Sequence, residues 1–361
     1  MTNRISMKLK LHWTHVFPIL AWIYYFTGIT DNNGWFSLIG AVLLITCVLS
    51  AVHHAEVVAL KVGEPFGTII LALAITIIEV ALIISLMIAG GDSAVTLARD
   101  TVFAAIMLIL NGILGACLLV GGAKFHEQYF ARSSANTALV SLVAILVLTL
   151  VLPNYTTSIN APLFNNAQLI FFAIASLVIY GTFLMVQTVR HRNYFLAEGE
   201  GEHDNVVPPT NTNTIVSLVY LLICLGIVVL MAKALSPKIE EIVHNAGAPK
   251  SLVGVIIAAV VLLPEGVAAI KAARRNHLQT SLNLALGSAL ASIGLTIPAV
   301  AIVCLIYDFP LVLGLDIKSM VLMALSLYIV MLSLNRGKTN VLYGVVLLVV
   351  LMAYIFTVIV P

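Results

Sequence analysis

The sequence predicts an all-α integral membrane protein of about eleven transmembrane helices, built as two inverted five-helix repeats behind one extra N-terminal helix. Three observations predict it. The 361 residues are 61% hydrophobic and only 9% charged, with a mean hydropathy of +1.09. A soluble domain carries about 25% charged residues and must show water a largely polar surface. Uncharged runs of roughly 20 residues, the length that crosses about 30 Å of hydrocarbon, recur along the whole chain. One long polar stretch, Arg190 to Asn213, divides these runs into six before and five after.

The runs fall near 13–30, 35–53, 65–89, 101–121, 135–152, 167–189, 214–232, 251–270, 281–306, 310–334 and 340–360. Gly112, Gly115, Gly181, Pro264, Gly287 and Pro298 lie inside them, which membrane helices tolerate when neighbours satisfy the freed backbone groups. Alternating strands of about ten residues, the mark of a barrel, do not occur. The organisation predicted is a cytoplasmic N-terminus and first helix (1–34), a first five-helix repeat (35–189), an acidic cytoplasmic linker (190–213) and a second five-helix repeat (214–361). Five is odd, so each helix of one repeat is antiparallel to its counterpart, the inverted pattern of many secondary transporters. With the N-terminus inside, Arg4, Lys8, Lys10, Lys61, Lys124, Arg132, Arg190, Arg192, Lys271, Arg274, Arg275, Arg336 and Lys338 are cytoplasmic, and only Arg99, Lys233, Lys238, Lys250 and Lys318 are outside. That asymmetry predicts an external C-terminus. No signal-peptide cleavage site follows the basic N-terminus. The net charge of +2 gives no reason to expect nucleic acid as a partner, and Cys47, Cys117, Cys224 and Cys304 stand singly in separate apolar runs, as packing residues do.

Among 16 acidic residues only Glu79 and Glu265 fall deep inside apolar runs. A carboxylate in the bilayer costs several kcal/mol, and no Lys or Arg lies inside a run to pair with it. The two segments, 63–91 and 247–275, are partners in the inverted repeat and both begin Gly-x-Pro. Two converging carboxylates are neutralised by one divalent cation, by two protons, or by one monovalent cation and a proton. Mutually exclusive occupancy of this kind is proton-coupled cation exchange. Carboxylate and carbonyl oxygens are hard ligands suited to Ca²⁺, Na⁺ or K⁺. Pro264 frees the carbonyl of Val260 as a further ligand. Thr76, Asn111, Asn283, Ser288 and Ser292 are candidate supporting oxygens, and Ser288, Ser292 and Thr296 share one helical stripe. His54, Glu56 and Glu64 are candidates for an entrance or proton path. The His53-His54-x-Glu56 spacing lacks the i, i+4 histidine pair of a zinc helix, and no span carries a histidine placed to serve an enzyme. No resident cofactor is expected. Glu198, Glu200, Glu202 and Asp204 in the linker form a possible cation-sensing regulatory segment.

The runs HHAEVVALKVGEPFGTIILALAITIIEVALI (53–83) and LLPEGVAAIKAARRNHLQTSLNLALGSALASIGLTIP (262–298), with Arg336-Gly337-Lys338-Thr339-Asn340-Val341-Leu342 near the end, resemble the bacterial ChaA-type calcium (sodium, potassium)/proton antiporters. These form part of the cation/proton exchanger branch of the calcium:cation antiporter superfamily. The resemblance covers nearly the whole chain. It implies a bacterial inner-membrane antiporter that exports Ca²⁺, Na⁺ or K⁺ against protons by alternating access at Glu79 and Glu265. The superfamily's frequent Gly-Asn-x-x-Glu is replaced here by Ile75-Thr76 before Glu79 and Val261-Leu262 before Glu265. A cation channel or uniporter using the same acids is the alternative.

Overall fold

The computed structural model describes residues 12–28, 35–63, 66–90, 95–159, 162–195, 209–245, 249 and 251–360. Glu64, Glu198, Glu200, Glu202 and Asp204 lie outside these residues. The described chain is all-α apart from one short β pair. Its helices are α1 (Trp13–Phe26), α2 (Trp35–Val62), α3 (Phe66–Gly90), α4 (Leu97–Phe125), α5 (Arg132–Tyr155), α6 (Asn166–Arg190), a four-residue α7 (Arg192–Phe195), α8 (Asn211–Asn245), α9 (Ser251–Arg274), α10 (Leu278–Tyr307), α11 (Ile317–Leu334) and α12 (Val341–Ile359). Among the described residues nine of these are long and apolar enough to cross a membrane. α4, α5 and α6 each contain a π-helical turn, at Leu108–Ile113, Val147–Val151 and Val186–Arg190.

Helix ends depart from the hydropathy boundaries where capping or packing overrides apolarity. The run beginning at residue 310 becomes helical only at Ile317, because Asp316 caps α11 by accepting from the Ser319 amide. The preceding Leu311, Leu313 and Leu315 are buried in an extended segment. That segment is tied down by Gly314 N–H to Pro162 O (3.1 Å) and Leu315 N–H to Leu150 O (2.9 Å). Asn154 and Arg99 donate to the carbonyls of Leu315 and Gly314. α2 runs past residue 53 to Val62, so His53, His54 and Glu56 lie on a continuing helix instead of a solvated end. α6 starts with a capping box: the Gln168 amide donates to Asn165 Oδ1 at 2.8 Å, and the Asn165 amide donates to Gln168 Oε1 at 3.1 Å. The β pair, Gln128–Tyr129 against Lys338–Thr339, joins the loops that follow α4 and α11. Lys338 bonds Glu127 there at 3.0 Å, and its ammonium holds the Glu127 carboxyl below the usual carboxylate range.

The interior divides into two apolar clusters. One is built mainly from α4, α5, α6, α10, α11 and α12. The other is built from α1, α2, α3, α8 and one side of α9. α3 and α9 belong to both: Ile83 and Met87 face the first cluster while Ala74, Ile78, Leu82 and Leu86 face the second. Likewise Val255, Ala258 and Leu262 face the first, and Val253, Ile257 and Val261 the second. The two helices that carry the intramembrane glutamates therefore form the seam between two packed blocks.

α4 and α12 cross through glycines. A Cβ on Gly344 would strike the backbone of Leu119 and the Gly115 carbonyl, and backbone cannot move aside as a side-chain rotamer can. Gly344→Ala is therefore expected to lower stability by about 1–3 kcal/mol. Gly287→Ala, whose Cβ meets nothing within 4 Å, is expected to leave it unchanged or raised. Thermal unfolding of the detergent-solubilised pair checks this, and equal midpoints would contradict the crossing.

Candidate cation site

Glu79 lies near the middle of α3 with 4% of its surface exposed. Its carboxylate accepts two hydroxyl bonds from α10: Ser292 Oγ donates to Oε1 at 2.7 Å, and Thr296 Oγ1 donates to Oε2 at 3.1 Å. Residues 292 and 296 are one helical turn apart, so a single stripe of α10 presents both donors to one carboxylate. Glu265 lies on α9 directly after Pro264. Both of its carboxyl oxygens are buried, and neither has a hydrogen-bond partner among the described residues. The two glutamates are thus unlike: one is oriented by hydroxyls, and the other is left open to a proton or an ion.

Both line one cavity of about 410 Å³. α3 contributes Ala72, Ile75 and Thr76; α9 contributes Ala258, Val261 and Leu262; α10 contributes Gly287, Ser288 and Ser292. From Ser292 the lining continues through Ser288, Leu284 and Asn283 to Thr280. The twelve residue steps from Ser292 back to Thr280 cover about 18 Å at 1.5 Å per step, so the cavity runs from the seam to the end of the bundle where α10 begins. Gln187 and Thr188 of α6, with Arg192 and Phe195 of α7, line that end. Among the described residues no group of three or more His, Cys, Asp or Glu side chains gathers to hold a metal ion. A cation at the seam would therefore draw on two carboxylates and on neutral oxygens such as those of Thr76, Ser288 and Ser292, a hard donor set.

The remaining sequence candidates are distributed differently. Asn283 lines the cavity, but its amide donates to the Phe195 carbonyl at 2.6 Å and its oxygen accepts from Gln279 at 2.9 Å. These bonds tie α10 to α7 at the cavity mouth. Asn111 does not line the cavity: its amide donates to Ser326 Oγ at 2.9 Å and to the Met107 carbonyl at 3.2 Å, in the π-turn region of α4. Val260 is half-buried and packs against the α1, α2, α3 and α8 cluster. His54 is buried away from the cavity, with Nδ1 3.2 Å from Ser217 Oγ and Nε2 3.3 Å from the Thr14 carbonyl. The rings of His15, His53 and Tyr220 pack around it. Glu56 is exposed on the same helix and does not line the cavity either. All four cysteines are buried and unpaired by disulfides. Gln187, Thr188, Arg192, Phe195 and Thr280 join the site beyond the sequence candidates and had no signal there, whereas Thr296, named with the Ser288 and Ser292 stripe, reaches it through Glu79.

Comparison with known proteins adds a family. Residues 33–189 and 216–360 match the sodium/calcium exchanger protein family. The chain belongs to that family. The two matched blocks flank the polar stretch after α6. A putative ionic transporter, y4hA, from Sinorhizobium fredii is 40% identical over 99% of this chain and 100% of its own. The sodium-potassium/proton antiporter ChaA of Escherichia coli is 34% identical over 95% of each chain. The crystal structure of the H+/Ca2+ exchanger CAX superposes with a TM-score of 0.70 at 16% identity, covering 95% of this chain and 86% of that one, a likeness of fold. The sodium/calcium exchanger relatives are transporters, and this chain is a multi-pass membrane transporter, not an enzyme.

Proposed function

We propose that the protein is a proton-driven cation antiporter in which Glu79 and Glu265 bind a cation and protons in alternation. The observation that carries this reading is the shared cavity. Two membrane-embedded carboxylates face it; hydroxyls hold one, and the other has no hydrogen-bond partner among the described residues. Leaving both charged and empty is prohibitively costly in a low-dielectric interior. Occupation by Ca²⁺, by Na⁺ or K⁺ with a proton, or by protons alone relieves that cost, and each occupant excludes the others. Coupling follows, because the cation binds only as protons leave.

The seam location supports alternating access. A site between two packed blocks is reached from opposite sides when one block rocks on the other, as inverted-repeat transporters do. On this reading α2 to α6 and α8 to α12 are the inverted repeats. With positive loops inside, the cavity mouth at Arg192 faces the cytoplasm, the N-terminus is cytoplasmic and the C-terminus external, in a bacterial inner membrane. The cation is exported and protons enter. The relative ChaA, a sodium-potassium/proton antiporter, supports monovalent substrates.

Proteoliposomes carrying an imposed pH gradient test this, with Ca²⁺, Na⁺, K⁺ and Mg²⁺ added separately. The expected result is gradient dissipation by at least one cation, with that ion driven uphill by the gradient. Cation flux that runs only downhill and ignores the gradient would identify a channel, and absence of any cation-dependent proton movement would refute exchange.

A further inference from the structure

Among the described residues three charged side chains line the cavity: Glu79, Glu265 and Arg192. We propose that Arg192 is an electrostatic filter at the cavity mouth that discriminates against divalent cations in favour of monovalent ones. The inference rests on the exchanger reading above and assigns its substrate class.

The backbone that carries Arg192 is held in place, and the side chain itself is exposed. Arg192 opens the four-residue α7, whose preceding His191 N–H bonds Val186 O at 2.9 Å. The other end of α7 is pinned where Asn283 Nδ2 donates to the Phe195 carbonyl at 2.6 Å, with the Phe195 ring edge-on to Phe183 at 6.0 Å. Asn283 is itself fixed by Gln279, which also donates to Ser134 Oγ at 2.6 Å and accepts from the Ala131 amide at 2.7 Å. The Arg192 guanidinium is the one cationic group among the described cavity-lining residues. No ion pair or hydrogen bond to a described residue neutralises it.

Charge counting gives the consequence. With both glutamates ionised the described lining residues carry a formal charge of −2 + 1 = −1. One monovalent cation brings that to zero, whereas a divalent cation overshoots to +1. Without Arg192 the lining carries −2, which a divalent cation matches. In addition, every ion entering through the mouth crosses the potential of the guanidinium, and its energy there scales with its own charge. A factor that Arg192 imposes on a monovalent ion is therefore squared for a divalent one.

The test is cation-dependent proton flux in proteoliposomes of the full chain, comparing wild type, Arg192→Gln and Arg192→Lys with Na⁺, K⁺ and Ca²⁺. Arg192→Gln is expected to lower the half-maximal concentration for both ion classes, by about threefold for Na⁺ and therefore about ninefold for Ca²⁺. Raising the ionic strength should shrink both ratios. Arg192→Lys, which keeps the charge, should stay near wild type, which separates an electrostatic role from a structural one. Equal fold-changes for Na⁺ and Ca²⁺, or none in Arg192→Gln, would overturn the filter while leaving exchange at the glutamates intact. No cation-dependent flux in the wild type would overturn the exchanger reading, and the filter with it.

Discussion

Glu265→Gln is expected to abolish cation-dependent proton exchange, by more than about a hundredfold, while the protein still inserts and folds. Glutamine has nearly the same shape, and both carboxyl oxygens of Glu265 are buried without partners among the described residues. Removing the ionisable group therefore takes away a site's charge without leaving another group stranded. Thermal stability should hold or rise, since a buried unpaired carboxylate is a liability for folding. Glu79→Gln should lose exchange as completely. Its amide oxygen still accepts from one hydroxyl, and the other hydroxyl turns to accept from the amide nitrogen, so the Ser292 and Thr296 contacts survive with the charge gone. Proteoliposome flux with each variant, beside a thermal unfolding trace, checks both halves. Retained exchange in either variant would show that one carboxylate suffices, contrary to the shared site.

The second large effect falls on the two hydroxyls. Ser292→Ala and Thr296→Val each remove one bond to the Glu79 carboxylate. A hydrogen bond to a charged group contributes about 1.5–3 kcal/mol, and about 1.4 kcal/mol is tenfold in affinity. Each substitution should therefore raise the half-maximal cation concentration roughly tenfold or more. The double variant should fall short of the product of the two, because both hydroxyls serve one carboxylate. Thr296→Ser, which keeps the donor, should remain near wild type. Unchanged half-maximal concentrations in the single variants would mean that the hydroxyls only pack α10 against α3.

Glu79 and Glu265 are legible in the sequence because the bilayer makes an unpaired carboxylate costly wherever it stands, and both line one cavity. The Ser292 and Thr296 stripe is legible through helical periodicity. The destination of a polar side chain is not legible in the same way. Asn111 needs a partner somewhere in the bundle, and spacing along one helix cannot say that Ser326 of a distant helix supplies it. His54 is hidden for a related reason: hydropathy ends the second run at residue 53, whereas α2 continues to Val62 and turns the ring inward against Ser217 and Thr14. At residue 310 the error reverses, since an apolar segment that packs as extended chain has the composition of a helix. Arg192 is the most instructive omission. In the sequence it is one more positive charge beside a membrane exit; only the return of α7 to the start of α10 through Asn283 brings it to the mouth of the cavity.

The central claim is that cation and protons compete for one pair of carboxylates. The most direct measurement is proton release from the purified, detergent-solubilised protein in weakly buffered solution as Na⁺, K⁺ or Ca²⁺ is added. The prediction is saturable release that tracks cation binding, falls as the starting pH is raised, and is lost in Glu265→Gln. Saturable cation binding that releases no protons, or release that persists undiminished in the Glu79→Gln, Glu265→Gln double variant, would contradict it.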